Sequence, residues 1–262
     1  MNGFDIIEDK LSNGLFATSL TWILEVLPYL KENNIYPIWN IDTHSYGPIF
    51  PKILTVKKTD VNSSAKIRLT DLIKKRGYKY NINEFQKAHD LFFEYFDIAE
   101  DILTEVELTK KTFGKYTLGL HYRGTDKKTE AAFISSDDYL KHVFAFLKVH
   151  NDKVTTIFIA SDEESFIQKI KESFQTDYQL IFTNSKRSST QSPLHFGNTY
   201  INLAKEAMID SLLLSKCDIV VKTSSCLSDW VKIWNPSIEV YNVNKFFCNW
   251  FPQAFIPVLS QR

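Results

Sequence analysis

Cysteine is scarce in this chain. Only Cys217, Cys226 and Cys248 occur, in an odd number and with no CxxC spacing. That argues against a disulfide scaffold or a structural zinc site and leads us to expect a reducing compartment. Net charge is missing too, because 31 basic residues balance 31 acidic ones. With no global field to draw the chain to a polyanion, no nucleic-acid partner is expected. No apolar run approaches the ~18–20 residues of a membrane span. The start, MNGFDIIEDK, carries acids early and lacks a basic segment followed by an apolar one, so no signal peptide is expected. These absences lead to the expectation of a cytoplasmic protein with no transmembrane segment.

Several chemical signatures are absent as well. No GxGxxG or GxxxxGK[ST] follows any predicted strand, which excludes the usual dinucleotide and P-loop sites. GxSxG is missing, so a serine-hydrolase elbow is not expected. HExxH and a DxD-like pair do not occur, and no metal site is expected. Asp137–Asp138 sits where a helix should begin, and reads as an N-cap with a favourable dipole.

What is present is a core. Apolar residues make up 44% of the 262 and aromatics 14%, ordinary for a chain that buries a large interior. Near the start a strand and a glycine turn lead into an amphipathic helix carrying Leu20, Ile23, Leu24, Leu27 and Leu30. IYPIWNI (35–41) reads as the next strand. Residues 42–80 are irregular and basic, with a helix expected at 69–76. That stretch reads as a solvated surface, or as one that meets an anionic acceptor or lipid head group in a peripheral membrane contact. A long helix is expected over 82–112, with Phe85, His89, Phe92, Phe93 and Phe96 as one core stripe. The strand YTLGLHY follows. Helices then alternate with the strands VTTIFIAS, YQLIFTN, DIVVKTSS and IEVYNV. This is a parallel α/β order. We expect an N-terminal α/β domain over 1–113 and a second, Rossmann-like domain over 114–243. A tail over 244–262 is expected to pack across the domain interface.

Ligands collect beyond the carboxyl ends of strands in such sheets. After the predicted strands of the second half come His121, Arg123, Asp126, Lys127 and Glu130; then Ser161, Asp162 and Glu163; then Thr183 and Asn184; then Lys222, Thr223, Ser224 and Ser225. This set suits an anion. Arg123 offers a planar fork of donors that matches phosphate oxygens. Ser225 and the helix start after it add a hydroxyl and backbone N–H groups. Gly14 lets the backbone approach closely. Asp210 and His121 have the groups to read a purine edge. Each has a plainer alternative. Asp126 holds Arg123 in place, Asp162 caps a helix, and Asp210 and His121 are satisfied interior groups.

The motif at 121–127, HYRGTDK, resembles the His-x-Arg-x-x-Asp-Lys motif of the α1,6-fucosyltransferase family, and TEAAF (129–133) resembles that family's next segment. IFIASDEESFIQK and AMIDSLLLSKCDIVVKTSSCLS resemble two further segments in the same order. The resemblance covers residues 114–230. It implies a GT-B-like α/β fold of two Rossmann-like parallel-sheet domains facing a cleft, with 1–113 on the acceptor side and 114–243 binding the nucleotide sugar. It also implies inverting, metal-independent fucosyl transfer from GDP-fucose, with no cofactor, to a glycan or lipid-linked oligosaccharide acceptor. By that resemblance Arg123 contacts the donor pyrophosphate, and His121 and Asp210 recognise guanine. Asp162 and Gly14 belong to the donor site, and Ser225 or Ser224 binds phosphate. Glu130 is the base for the acceptor hydroxyl, and Asp126 and Lys127 support the pyrophosphate and the transition state. The second arginine of the family's pair is Gly124 here, and the Lys127–Glu130 spacing is one residue shorter. Transfer from another nucleotide sugar, and a non-catalytic sugar-nucleotide or glycan-binding module, remain as alternatives.

Overall fold

The computed structural model describes residues 3–11, 14–57, 63–75, 82–124, 131–150, 153–174, 177–189, 201–247 and 251–259. The chain divides into two compact units, Met1–Leu103 with His195–Met208, and Thr104–Leu194 with Ile209–Arg262.

The first unit opens with β1 (Gly3–Leu11), a π-helical turn (Leu15–Leu20) and α1 (Thr21–Glu32). The apolar spacing of α1 buries Ile23, Leu24, Val26, Leu27 and Leu30 almost completely. β2 (Tyr36–Thr43) alternates inward and outward along most of its length, as a half-buried strand should. It pairs with β1 in parallel and with the short β3 (Gly47–Pro48) in antiparallel fashion. β4 (Leu54–Val56), β5 (Ser63–Arg68) and α2 (Leu69–Lys75) follow, and the sheet has the order β3-β2-β1-β5.

The single helix expected over 82–112 is instead two. α3 (Phe85–Tyr95) and α4 (Glu100–Lys110) are separated by β6 (Phe96–Ile98), which pairs antiparallel with β4. Tertiary packing overrides helical periodicity here. Phe96 is fully buried and packs against Trp39 and Phe50, with ring centroids 5.4 and 5.6 Å away. Glu100 and Asp101 then start the new helix, where acids favour the positive end of the dipole. Phe92 and Phe96 of the expected stripe are core, whereas Phe85, His89 and Phe93 are only half-buried.

The second unit holds β7 (Thr117–Tyr122), α5 (Ser136–His150), β8 (Thr156–Ser161), α6 (Glu164–Phe174), β9 (Gln179–Phe182) and α7 (Ile201–Ser215), of which residues 209–215 belong to this unit. β10 (Ile219–Lys222), two short helices α8 (Cys226–Asp229) and α9 (Val231–Trp234), β11 (Glu239–Asn242) and a 3-10 turn (Gln253–Phe255) follow. All five strands run parallel in the order β11-β10-β7-β8-β9. Leu118, Leu120 and Tyr122 face Tyr139, Val143, Phe166 and Ile170 in one core. Burying a side chain of this size contributes about 1.5–3 kcal/mol. On the opposite face Gly119 lets α7 approach closely. A Cβ there would lie 3.0 Å from Cys217 Sγ and 3.1 Å from Leu214. Asp218 pins the strand starts, its carboxylate accepting from Thr117 N at 2.7 Å and its own N–H donating to Thr117 O at 2.9 Å.

Candidate functional site

From the central β7 the chain moves outward through β8 and β9, then returns to β10 on the other side. The crevice beyond the carboxyl ends of β7 and β10 is therefore the switch point where such sheets bind ligands. His121, Tyr122 and Arg123 leave β7 there, and Lys222 to Ser225 leave β10. The two segments are laced together. Thr223 N–H donates to His121 O at 2.9 Å, and Arg123 N–H donates to Thr223 Oγ1 at 2.9 Å. These bonds fix the backbone from which the Arg123 side chain departs.

Behind this edge lies a buried polar layer. Lys222 Nζ donates to Asp229 Oδ1 at 2.8 Å and to Asn242 Oδ1 at 2.6 Å. His121 is interior, with Nδ1 2.8 Å from Ser228 Oγ. Burial, and then the charges of Lys222 and Arg123, push its pKa well below the usual value, so the imidazole is neutral. Ser224 is occupied by Asn244: its N–H donates to Oδ1 at 2.7 Å and its hydroxyl to the backbone O at 3.1 Å. Ser225 stands as the N-cap of α8 in extended conformation, yet its hydroxyl makes no capping bond.

The ends of β8 and β9 add a second cluster. Arg123 Nε lies 3.8 Å from Asp162 Oδ2, with both side chains about four-fifths buried. The helix start beside Asp162 is satisfied by other groups: Ser161 Oγ accepts from Glu163 N at 3.2 Å and Ser188 O from Glu164 N at 3.1 Å. Glu163 is buried, and its pKa is raised by burial and then by Asp162. Its carboxyl crowds the space over Gly124. A Cβ at 124 would meet Glu163 Oε1 and lie 2.8 Å from the Tyr122 hydroxyl. Asp210, itself buried, accepts from Thr183 Oγ1 at 2.6 Å. Arg187 Nη2 donates to Thr183 O at 2.6 Å.

The structure thus places His121, Arg123, Asp162, Asp210, Ser224 and Ser225 in one unit, at or beside the carboxyl edge of its sheet. Gly14 lies in the other unit, at φ +116°, and its carbonyl accepts from Thr18 N and Ser19 N in the π-helical turn. Asp126, Lys127 and Glu130 lie outside the described residues. At the start of α5 the capping group is Ser135, not the acid pair. Its hydroxyl donates to Asp138 Oδ2 at 2.7 Å and accepts from Asp138 N at 3.1 Å. Sequence reasoning missed Ser228, Asn244 and Arg187. Arg187 follows Lys186 in a Ser/Thr-rich loop, which carries no periodic signal. Among the described residues no cluster of three or more His, Cys, Asp or Glu could hold a metal ion, and no helix is long and apolar enough to cross a membrane.

A family model described as alpha-(1,6)-fucosyltransferase N- and catalytic domains matches residues 95–228. Similar solved structures include NodZ alpha-1,6-fucosyltransferase soaked with GDP-fucose. It is 13% identical, with a TM-score of 0.58, over 94% of this chain and 99% of that one. Fucosyltransferase NodZ from Bradyrhizobium is 12% identical, with a TM-score of 0.59, over 95% and 99%. An Arabidopsis thaliana FUT1 mutant in complex with GDP is 9% identical, with a TM-score of 0.57, over 92% of this chain and 71% of that one. No curated protein matches the chain. At such identities the structural likeness establishes the fold, which is α/β with parallel sheets and GT-B-like.

Proposed function

The chain belongs to the alpha-(1,6)-fucosyltransferase family, and we propose from that premise that it transfers fucose from GDP-fucose to a hydroxyl of a glycan or glycoconjugate, with inversion and without a metal. The observation that carries this reading is the family match over 95–228 falling on the laced β7–β10 edge. Two neighbours in fold were solved with GDP-fucose or GDP.

In this reading the GDP pyrophosphate lies over the switch point. Breaking the sugar–phosphate bond leaves added negative charge on GDP. The Arg123 fork, oriented by Asp162 and by the Thr223 bond to its backbone, stabilises that charge where it develops. Ser225 is the phosphate-binding serine rather than Ser224, because its hydroxyl caps nothing while both polar groups of Ser224 are held by Asn244. Asp210 accepts from the N–H groups of guanine. His121, neutral and interior, positions the edge through Ser228 and Thr223. Glu130 takes the proton of the acceptor hydroxyl, and Asp126 and Lys127 support the pyrophosphate and the transition state.

The test is calorimetry with GDP-fucose, GDP and a panel of other nucleotide sugars, followed by an acceptor screen. Binding of GDP and turnover of GDP-fucose with a glycan acceptor is the expected result. Preference for a uridine or cytidine donor would replace the donor assignment. GDP binding with no transfer to any acceptor would leave a binding module.

A further inference from the structure

The loop after β9 folds back along the end of β8. Ser188 N–H donates to Asp162 O at 2.7 Å, Ser188 O accepts from Glu164 N at 3.1 Å, and Glu163 and Ser188 form a parallel bridge. This return places Arg187 at the carboxyl edge of the sheet, with its side chain 15% exposed. One residue ties it to Asp210. Arg187 Nη2 donates to the carbonyl of Thr183 at 2.6 Å, and the hydroxyl of Thr183 donates to Asp210 Oδ1 at 2.6 Å. A guanidinium and a carboxylate are thus held side by side on two atoms of Thr183.

The arginine has donors to spare. Of its five N–H groups, one is used on Thr183. Nη1 lies 4.0 Å from Glu164 Oε2, beyond hydrogen-bond distance. Nε is buried with no hydrogen-bond partner among the described residues. A buried N–H without an acceptor is costly, and an acceptor on a ligand would offset that cost.

We infer that Arg187 reads the nucleotide base, donating to the O6/N7 acceptor edge of guanine while Asp210 beside it accepts from the N–H groups of the same ring. This rests on the GDP-fucose reading above. The chemistry is complementary: guanine carries two acceptors on that edge, which an arginine fork matches in pairs. Adenine presents an N–H₂ donor where guanine has O6, so it meets the fork donor to donor. Arg187 therefore sets the choice of base, whereas Arg123 holds the phosphates that all donors share.

The experiment is calorimetry on the full chain with GDP, ADP and 7-deaza-GDP, which lacks the N7 acceptor. Wild type is expected to prefer GDP to both. In Arg187→Ala, GDP should weaken by about 5- to 150-fold, the range for losing a bidentate base contact. ADP should not change, and 7-deaza-GDP should bind as GDP does. Arg187→Lys should keep only part of the preference. Equal weakening of GDP and ADP in Arg187→Ala would mean a phosphate contact or a collapsed loop and would overturn the inference. So would unchanged binding. Wild-type binding of GDP and 7-deaza-GDP with equal affinity overturns it without relying on any variant. If wild type binds no GDP at all, the fucosyltransferase reading itself fails, a result distinct from the others.

Discussion

Lys222 Nζ and Asp229 Oδ1 lie 2.8 Å apart, and both side chains are fully buried. Asn242 supplies a further acceptor to the lysine. The pair ties the end of β10 to α8 and β11, so it sets the backbone on which Thr223 and Ser225 stand. Lys222→Met should strand the carboxylate in the interior and cost about 3–5 kcal/mol. Replacing Lys222 by Met together with Asp229 by Leu should cost much less, because no buried charge is left uncompensated. Urea denaturation of both variants checks this. A double variant as unstable as the single one would show that the ion pair itself is what stabilises the layer.

Gly124 stands where the family's second arginine would be, and the structure gives the space to Glu163. A side chain at 124 must displace that carboxyl and meets the Tyr122 hydroxyl at 2.8 Å. Gly124→Ala should therefore destabilise the chain by about 1–3 kcal/mol through overpacking. Gly124→Ala combined with Glu163→Ala should recover part of the loss, since the flexible partner is gone. Thermal melts of the two single variants and the double variant measure the coupling. Strict additivity would mean that the two positions do not compete.

Much of the fold was legible in the sequence because its signals are local. The motif strand TLGLHY and the helix ESFIQKIKESF stand where the apolar pattern puts them, and the order of the parallel sheet follows from strand–helix alternation. The break at Phe96 was not legible, because its cause is the distant Trp39, Phe50 and β4. Likewise nothing in the local pattern shows that the segment between β10 and β11 forms two short helices meeting at Trp230, which is wholly buried. At the site, Arg123 could be read from its place after a strand. Asp162 beside Arg123, Asn244 on Ser224 and Ser228 on His121 are contacts between loops far apart in sequence. No spacing rule announces them.

Acid should lower the stability of the chain through two groups, for different reasons. His121 has its pKa held well below 6.5 by burial and by Lys222 and Arg123. Below about pH 6.5 the unfolded chain binds a proton there that the folded chain refuses, so stability falls as pH drops. Glu8 behaves differently. Burial raises its pKa, but hydrogen bonds from Arg68 and Thr70 outweigh that and hold it below 4.5. Its contribution is present above about pH 4.5 and is lost as pH falls through the lowered value. Denaturation at a series of pH values should show the first loss in wild type but not in His121→Asn. The second should be reduced in Arg68→Ala. A His121→Asn variant with the wild-type slope between pH 6.5 and about 5 would assign that loss elsewhere.

The activity prediction concerns the shape of Arg123 more than its charge. Lysine keeps the positive charge but replaces the planar fork by a single ammonium, which cannot pair two phosphate oxygens in the same way. If the fork acts where charge develops on the departing GDP, Arg123→Lys should lower kcat by about 10²–10³, the usual loss for one strong transition-state donor, and should change GDP affinity much less. Asp162 acts through Arg123, lying 3.8 Å from its Nε. Asp162→Asn should then reduce turnover in wild type yet have little further effect in Arg123→Lys, because the group it orients is already gone. Steady-state rates with GDP-fucose for the two single variants and the double variant decide the matter. Full turnover in Arg123→Lys would remove this residue from the chemistry, and additive losses in the double variant would separate Asp162 from it.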